Sequence, residues 1–292
     1  MKWTPGGRSA DLEDLRGAGG RRGGFGGFGG AGPKVGCGGF VVLLLLSVIF
    51  GQDFFSLLGG GSGGQAPPQD RQAPPVSSTP EEERMIQFVS DVLDYNQDHW
   101  AKVFADSGQT YQRAQLGVFR DNVETACGFA QSGMGPFYCP ADQEVYIDLS
   151  FYRQLDERFG APGDFAQAYV IAHEIGHHVQ NLLGISSQVR GAQQSNPRNA
   201  NELSVLLELQ ADCLAGVWAH SAAQRDLLDP GDIEEGLGAA AAVGDDNIQQ
   251  QSGGFVNQES WTHGSAQQRS QWFRRGFESG NMDSCNTFES VR

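Results

Sequence analysis

The chain is short of positive charge. Lysine and arginine together number 20 against 35 aspartates and glutamates, a formal net charge of −15 over 292 residues. A phosphate backbone needs a basic face, so this balance argues against a nucleic-acid partner and reads as a solubility feature. Histidine is scarce as well: His99, His173, His177, His178, His220 and His263 are the whole set. The five cysteines include no CxxC pair, which removes the usual spacing of a thiolate zinc site. No apolar run reaches twenty residues without interruption, and no segment repeats.

Against that scarcity, three of the six histidines fall within six residues, in His173-Glu174-Ile175-Gly176-His177-His178. Positions i and i+4 of a helix stand one above the other, so His173 and His177 can grip one metal ion. Glu174 is then placed to act as general base on a water activated by that metal. The preceding run, residues 165–172, is a good helix former, with Asp164 expected as its N-cap and Gly184 as its stop. His178 points about 100° around the helix from His177 and is not expected at the same metal.

Catalytic zinc usually takes three protein ligands, so a third is needed. The metzincin pattern would put a glycine and a histidine downstream, but Gln180 and Leu183 stand there. The best candidate is Glu208, which lies with Asp212 at i and i+4 inside an apolar run over residues 203–218. A buried carboxylate needs a cation or hydrogen-bond donors, and zinc with a histidine N–H supplies both. Glu208 is therefore assigned to the metal. Asp212 is expected to accept a hydrogen bond from the non-coordinating nitrogen of a ligand histidine, His173 first. Glu202 competes weakly, since an acid at a helix start is favoured in any case.

These residues resemble the gluzincin pattern, in which HExxH is followed on a second helix by a glutamate and, four residues later, an aspartate. More closely, the chain resembles the bacterial neutral zinc metallopeptidase family of membrane-anchored proteins. The resemblance runs over nearly the whole chain: the glycine-rich start and apolar segment, Gly135-Pro136-Phe137-Tyr138-Cys139-Pro140, the HEIGHH block and Glu208-Leu209-Gln210-Ala211-Asp212-Cys213. It continues through Gly244-Asp245-Asp246 and His263-Gly264-Ser265-Ala266-Gln267-Gln268-Arg269. It implies a zincin-like domain with one Zn2+ per chain, in which an edge strand near residues 145–149 lines the substrate cleft.

The amino-terminal third reads as an attachment. Residues 1–36 are glycine-rich with few apolar groups and are not expected to pack a core. Residues 37–58 hold an apolar stretch of about twenty, broken by Gln52 and Asp53. It lies far from the start, lacks a small-x-small cleavage site and continues past the acid, so it reads as an uncleaved anchor rather than a signal peptide. Lys2, Arg8, Arg16, Arg21, Arg22 and Lys34 outweigh Asp11, Glu13 and Asp14, giving the tail +3 and leaving −18 for the rest. By the positive-inside rule the tail stays in the cytoplasm. A single pass through the inner membrane then puts residues 79–292 in the periplasm or otherwise outside the cytoplasm. A Gly/Pro/Gln/Ser linker covers residues 59–78. Cys37 stands alone; Cys127 with Cys139 and Cys213 with Cys285 are the expected disulfides, one of three connectivities that spacing leaves open.

The domain opens at Thr79-Pro80-Glu81-Glu82 as a capping box with proline at the first helical position. Helices are expected over about 80–95, 233–251 and 265–278, the last stopped by Gly280, and short strands over 116–119 and 144–149. The class is α+β, mainly helical, with a small sheet. The expected function is a membrane-anchored zinc metalloprotease acting on a protein or peptide. His263 is the candidate oxyanion donor, with Tyr146, Tyr152 and Arg269 as weaker ones. A zinc amidase on a non-peptide substrate and a catalytically idle, zinc-stabilised scaffold are the alternatives.

Overall fold

The computed structural model describes residues 1–17 and 78–291. The apolar segment 37–58, most of the linker, the remainder of the tail and Cys37 lie outside the described residues. Among those described, no helix is long and apolar enough to cross a membrane.

The first helix, α1 (Pro80–Asp106), begins as its sequence dictates. The Thr79 hydroxyl accepts from the Glu82 amide and the Glu82 carboxylate accepts from the Thr79 amide, with Pro80 at the first position. It runs well past the expected end near residue 95. Asn96 and Gln97, which look like a polar ending, are buried; their side-chain amides donate to the carbonyls of Val92 and Ala114. Trp100 and Phe104 then bury the extra turns.

Two short helices not read from the sequence, α2 (Ser150–Glu157) and α4 (Ile185–Ser195), flank α3 (Asp164–Leu182), which carries the histidine motif. Gly163, not Asp164, is the N-cap of α3; Asp164 is the first helical residue, and its carboxylate pairs with the Met1 ammonium. The second motif helix is α5 (Ala200–Gln224). The single helix expected over 233–251 is two, α6 (Asp232–Ala242) and α7 (Asp245–Gly253), separated by an extended Gly244. The break lets the Asp245 carboxylate collect the backbone N–H groups of Thr262, His263 and Gly264. The last long helix, α8 (Ala266–Ser279), has Ser265 and Gln268 as its capping box and Gly280 in the left-handed conformation after it.

The helices pack through small residues. A methyl group on Gly216 of α5 would fall 2.0 Å from the Phe273 carbonyl oxygen, and one on Gly276 of α8 would fall 1.9 Å from that of Cys213. Only glycine lets these two backbones approach so closely. Phe165 stacks on Trp218, and Tyr169 meets Phe273 edge-on, so one apolar core joins α3, α5 and α8. Cys213 pairs with Cys285, tying α5 to the carboxy-terminal turns. Cys127 pairs with Cys139, the other expected bridge.

Against the helices lies a four-stranded sheet in the order β1 (Leu12–Asp14), β2 (Gln115–Phe119), β6 (Glu144–Asp148), β5 (Phe137–Cys139). β1, β2 and β6 are parallel; β5 runs antiparallel to β6. A hairpin of β3 (Asn122–Thr125) and β4 (Gly128–Gln131) stands apart. Two expectations are corrected here. β6 is an inner strand, buried along its whole length, and the edge strand beside it is β5. The tail's first 17 residues do pack: β1 joins the sheet, Met1 is buried in the core, and Trp3 meets Phe88 edge-on.

Candidate metal centre and active site

The motif helix and α5 cross where Gly176 faces Ala211, close enough that a methyl group on Gly176 would lie 3.0 Å from the Ala211 carbonyl oxygen. This contact brings the polar face of α3 onto that of α5. His173 Nε2 lies 3.2 Å from one oxygen of Glu208, and His177 Nε2 lies 3.4 Å from the other. Ligands about 2.0–2.1 Å from a tetrahedral zinc stand roughly 3.3 Å from one another, so each histidine–carboxylate separation matches shared ligation of one zinc ion. His173, His177 and Glu208 form one of two groups of potential ligands among the described residues. The other, Asp164 with Asp232 and Glu235, faces the Met1 ammonium at Asp164 and Asp232.

The ring nitrogens turned away from Glu208 are also held. His173 Nδ1 is 2.9 Å from Asp212, and His177 Nδ1 is 2.8 Å from the amide oxygen of Gln180. In the neutral tautomer protonated at Nδ1, each contact directs an N–H outward from the centre and leaves the Nε2 lone pair to face a metal. Gln180 is itself fixed by donating to the Leu207 carbonyl on α5. Its place three residues after His177, on the same face, was legible in the sequence as a spacing but carried no signal of its role.

Asp212 is fully buried and saturated. Tyr169 donates to it through its hydroxyl, and the Arg269 guanidinium grips it with Nε at 2.8 Å and Nη2 at 2.9 Å. Burial alone would raise the Asp212 carboxyl, but Arg269 and His173 outweigh it and hold it below the usual carboxylate range. In the same way burial would lower His173, yet the facing carboxylates of Asp212 and Glu208 lift it to about 10. Glu208 is held well below its ordinary value by His177 and His173, against its own burial. The centre is thus poised for positive charge.

Glu174 is 8 % exposed and lines the same cleft as the ligand set. So does His263, whose Nδ1 is 3.2 Å from Asp245, leaving Nε2 for the cleft. Asp245 thereby fixes both the loop and the ring, and its role was not read from the sequence. Of the weaker donor candidates, Arg269 lines the cleft but is committed to Asp212 and Tyr169. The Tyr146 hydroxyl lies 2.9 Å from the carboxylates of both Asp142 and Glu144 instead, and Tyr152 is buried away from the cleft lining. His178 turns to the Tyr138 hydroxyl and the Gln112 carbonyl, apart from His173, His177 and Glu208.

The cleft encloses about 390 Å³. Besides the polar groups, its walls are largely apolar, with Met134, Phe137, Phe151, Phe159, Val170 and Ile248 among them. β5 forms one rim, and among the described residues its outer side has no strand partner.

Comparison with known proteins agrees in extent. A model of the family described as "Putative neutral zinc metallopeptidase" matches residues 1–288. The "Uncharacterized protein YpfJ" of Escherichia coli (strain K12) is 55% identical over 210 residues, 72% of this chain and 73% of its own. The "Uncharacterized protein Rv2575" of Mycobacterium tuberculosis (strain ATCC 25618 / H37Rv) is 47% identical over 192 residues, 62% of this chain and 64% of its own. No solved structure matches.

Proposed function

Since the chain belongs to that zinc metallopeptidase family, we propose that it is a zinc-dependent peptidase that hydrolyses peptide bonds in the cleft between α3, α5 and β5. The observation that carries this is the approach of His173 Nε2 and His177 Nε2 to the two Glu208 oxygens, at 3.2 and 3.4 Å, with Glu174 on the same cleft wall. A closed structural site has no use for a base or a cleft.

One zinc ion held by His173, His177 and Glu208 supplies Lewis acidity, making water a stronger nucleophile and polarising a carbonyl oxygen. Glu174 takes a proton from the attacking water and passes it to the leaving amine as the C–N bond breaks. The new C–O bond leaves negative charge on the former carbonyl oxygen, and His263, oriented by Asp245, donates a hydrogen bond to it. Asp212 and Gln180 keep the two ligand imidazoles in their orientation. An extended peptide fits the open side of β5, where main-chain hydrogen bonds would align it with the metal. The two disulfides favour a location outside the cytoplasm.

The test combines metal content with turnover. The full-length protein is expected to carry one zinc per chain and to cleave unfolded casein, with activity removed by a chelator and restored by zinc. Glu174→Gln is expected to keep the zinc and lose about 10²–10⁴-fold in rate. A variant that retains full activity would remove Glu174 from the chemistry; protein that binds zinc but cleaves nothing would favour the scaffold reading.

A further inference from the structure

The amino-terminal segment is built into the catalytic domain. Leu12, Glu13 and Asp14 pair in parallel register with Leu116, Gly117 and Val118, and the Leu15 amide donates to the Val118 carbonyl. The Arg16 side chain is 2% exposed. Its guanidinium bonds Asp14 at 2.7 and 2.8 Å, Ser78 at 2.9 Å and Glu83 at 3.3 Å. Arg8 bonds Asp14 and both oxygens of Glu83 at 2.8–3.0 Å. Lys2 pairs with Asp226, and Arg113 of the domain with Asp11. An arginine withdrawn from water in this way is strongly destabilising to the fold if its acids are taken away. The segment is therefore a docked part and not a free tail.

That docking constrains the apolar residues 37–58. A chain crossing a bilayer once between residues 17 and 78 leaves β1 and β2 in different compartments, where they cannot pair. The charge argument for a cytoplasmic tail also weakens, because Lys2, Arg8 and Arg16 are three of its six basic residues and all are neutralised by acids at the docking site. We infer that residues 1–17 and the domain of residues 78–291 occupy the same side of the membrane, outside the cytoplasm, so that the apolar segment between them makes no single pass. The inference rests on strand pairing and ion pairs and stands apart from the reading of the cleft.

Cysteine labelling of the full-length chain in intact cells tests it. With Cys37→Ser as background, single cysteines are placed at the exposed positions Ala10 and Gln251 and treated with a membrane-impermeant maleimide. Equal labelling of A10C and Q251C without breaking the cells is the expected result. Labelling of Q251C alone, with A10C reacting only after lysis, would restore the single pass and overturn the inference. Protection of both would place the two parts inside and overturn the assigned compartment. Docking itself is read from the full-length protein: Arg16→Ala is expected to lower the Tm by about 5 °C or more, and an unchanged Tm would mean that the segment is not held.

Discussion

Two regions of this molecule cluster charge, and they balance it differently. At the amino-terminal dock Arg8, Arg16 and Arg120 meet Asp14, Glu82 and Glu83, three cations against three anions in direct contact. At the cleft Glu174, Glu208 and Asp212 lie beside one buried arginine, Arg269, which is bonded to Asp212; the other arginine of the cleft wall, Arg190, is exposed. The first cluster is complete as it stands. The second is short of positive charge at the point where three ligand atoms converge, and it answers by raising His173 to about 10. A complete cluster holds structure together; an incomplete one, facing a cleft, draws in a metal.

The sharpest way to break this contrast is Glu208→Ala, which removes one anion and a third of the ligand set. Zinc is expected to be lost on dialysis while the helical circular dichroism stays native, because the variant also removes a buried charge. Retention of stoichiometric zinc would show that the converging atoms are not the metal site. A smaller effect is expected from His263→Ala: about 10²–10³-fold in kcat, with KM little changed, as for other oxyanion donors. A rise in KM at unchanged kcat would make His263 a binding residue. Asp212→Asn keeps the shape but weakens the grip on His173, and a loss of about 10–100-fold in zinc affinity is expected in competition with a chelator. No loss would mean that Tyr169 and Arg269 alone orient the centre.

The two regions also differed in how far the sequence disclosed them. His173, Glu174, His177, Glu208 and Asp212 are separated by i, i+1 and i+4 steps on two helices, so local periodicity shows their shared faces before any fold is known. The helix ends at Thr79, Gly184, Ser265 and Gly280 were likewise local signals. Gln180 and Asp245 were not, because an amide or a carboxylate reveals its partner only when the partner's element is placed. The split at Gly244 depends on the loop of residues 262–264, which has no sequence proximity to it. β1 was hidden most deeply: three residues in a glycine-rich stretch, paired with a strand about a hundred residues later. Composition there argued for a loose tail, and long-range pairing overrode it. The inner position of β6 and the edge position of β5 are sheet-order facts that strand alternation does not contain.

The mildest test separates the two regions by acid. Asp14 and Glu83 are each lowered to about 2, mainly by their hydrogen bonds to Arg16 and Arg8 respectively. A carboxylate depressed on folding contributes stability that is fully present above its ordinary value near 4 and is lost as pH falls toward 2. Both groups are partly solvated, so the contribution is modest and should shrink with salt. The metal centre responds earlier, since protons compete with zinc for the ligand histidines as pH falls. On titration downward from pH 7, zinc release is expected first, and undocking of residues 1–17 only below about pH 4. Undocking can be followed by amide exchange at β1 and by Trp3 fluorescence as it leaves Phe88. A single step releasing both would mean that the dock and the centre are one cooperative unit, and that the contrast drawn between them is false.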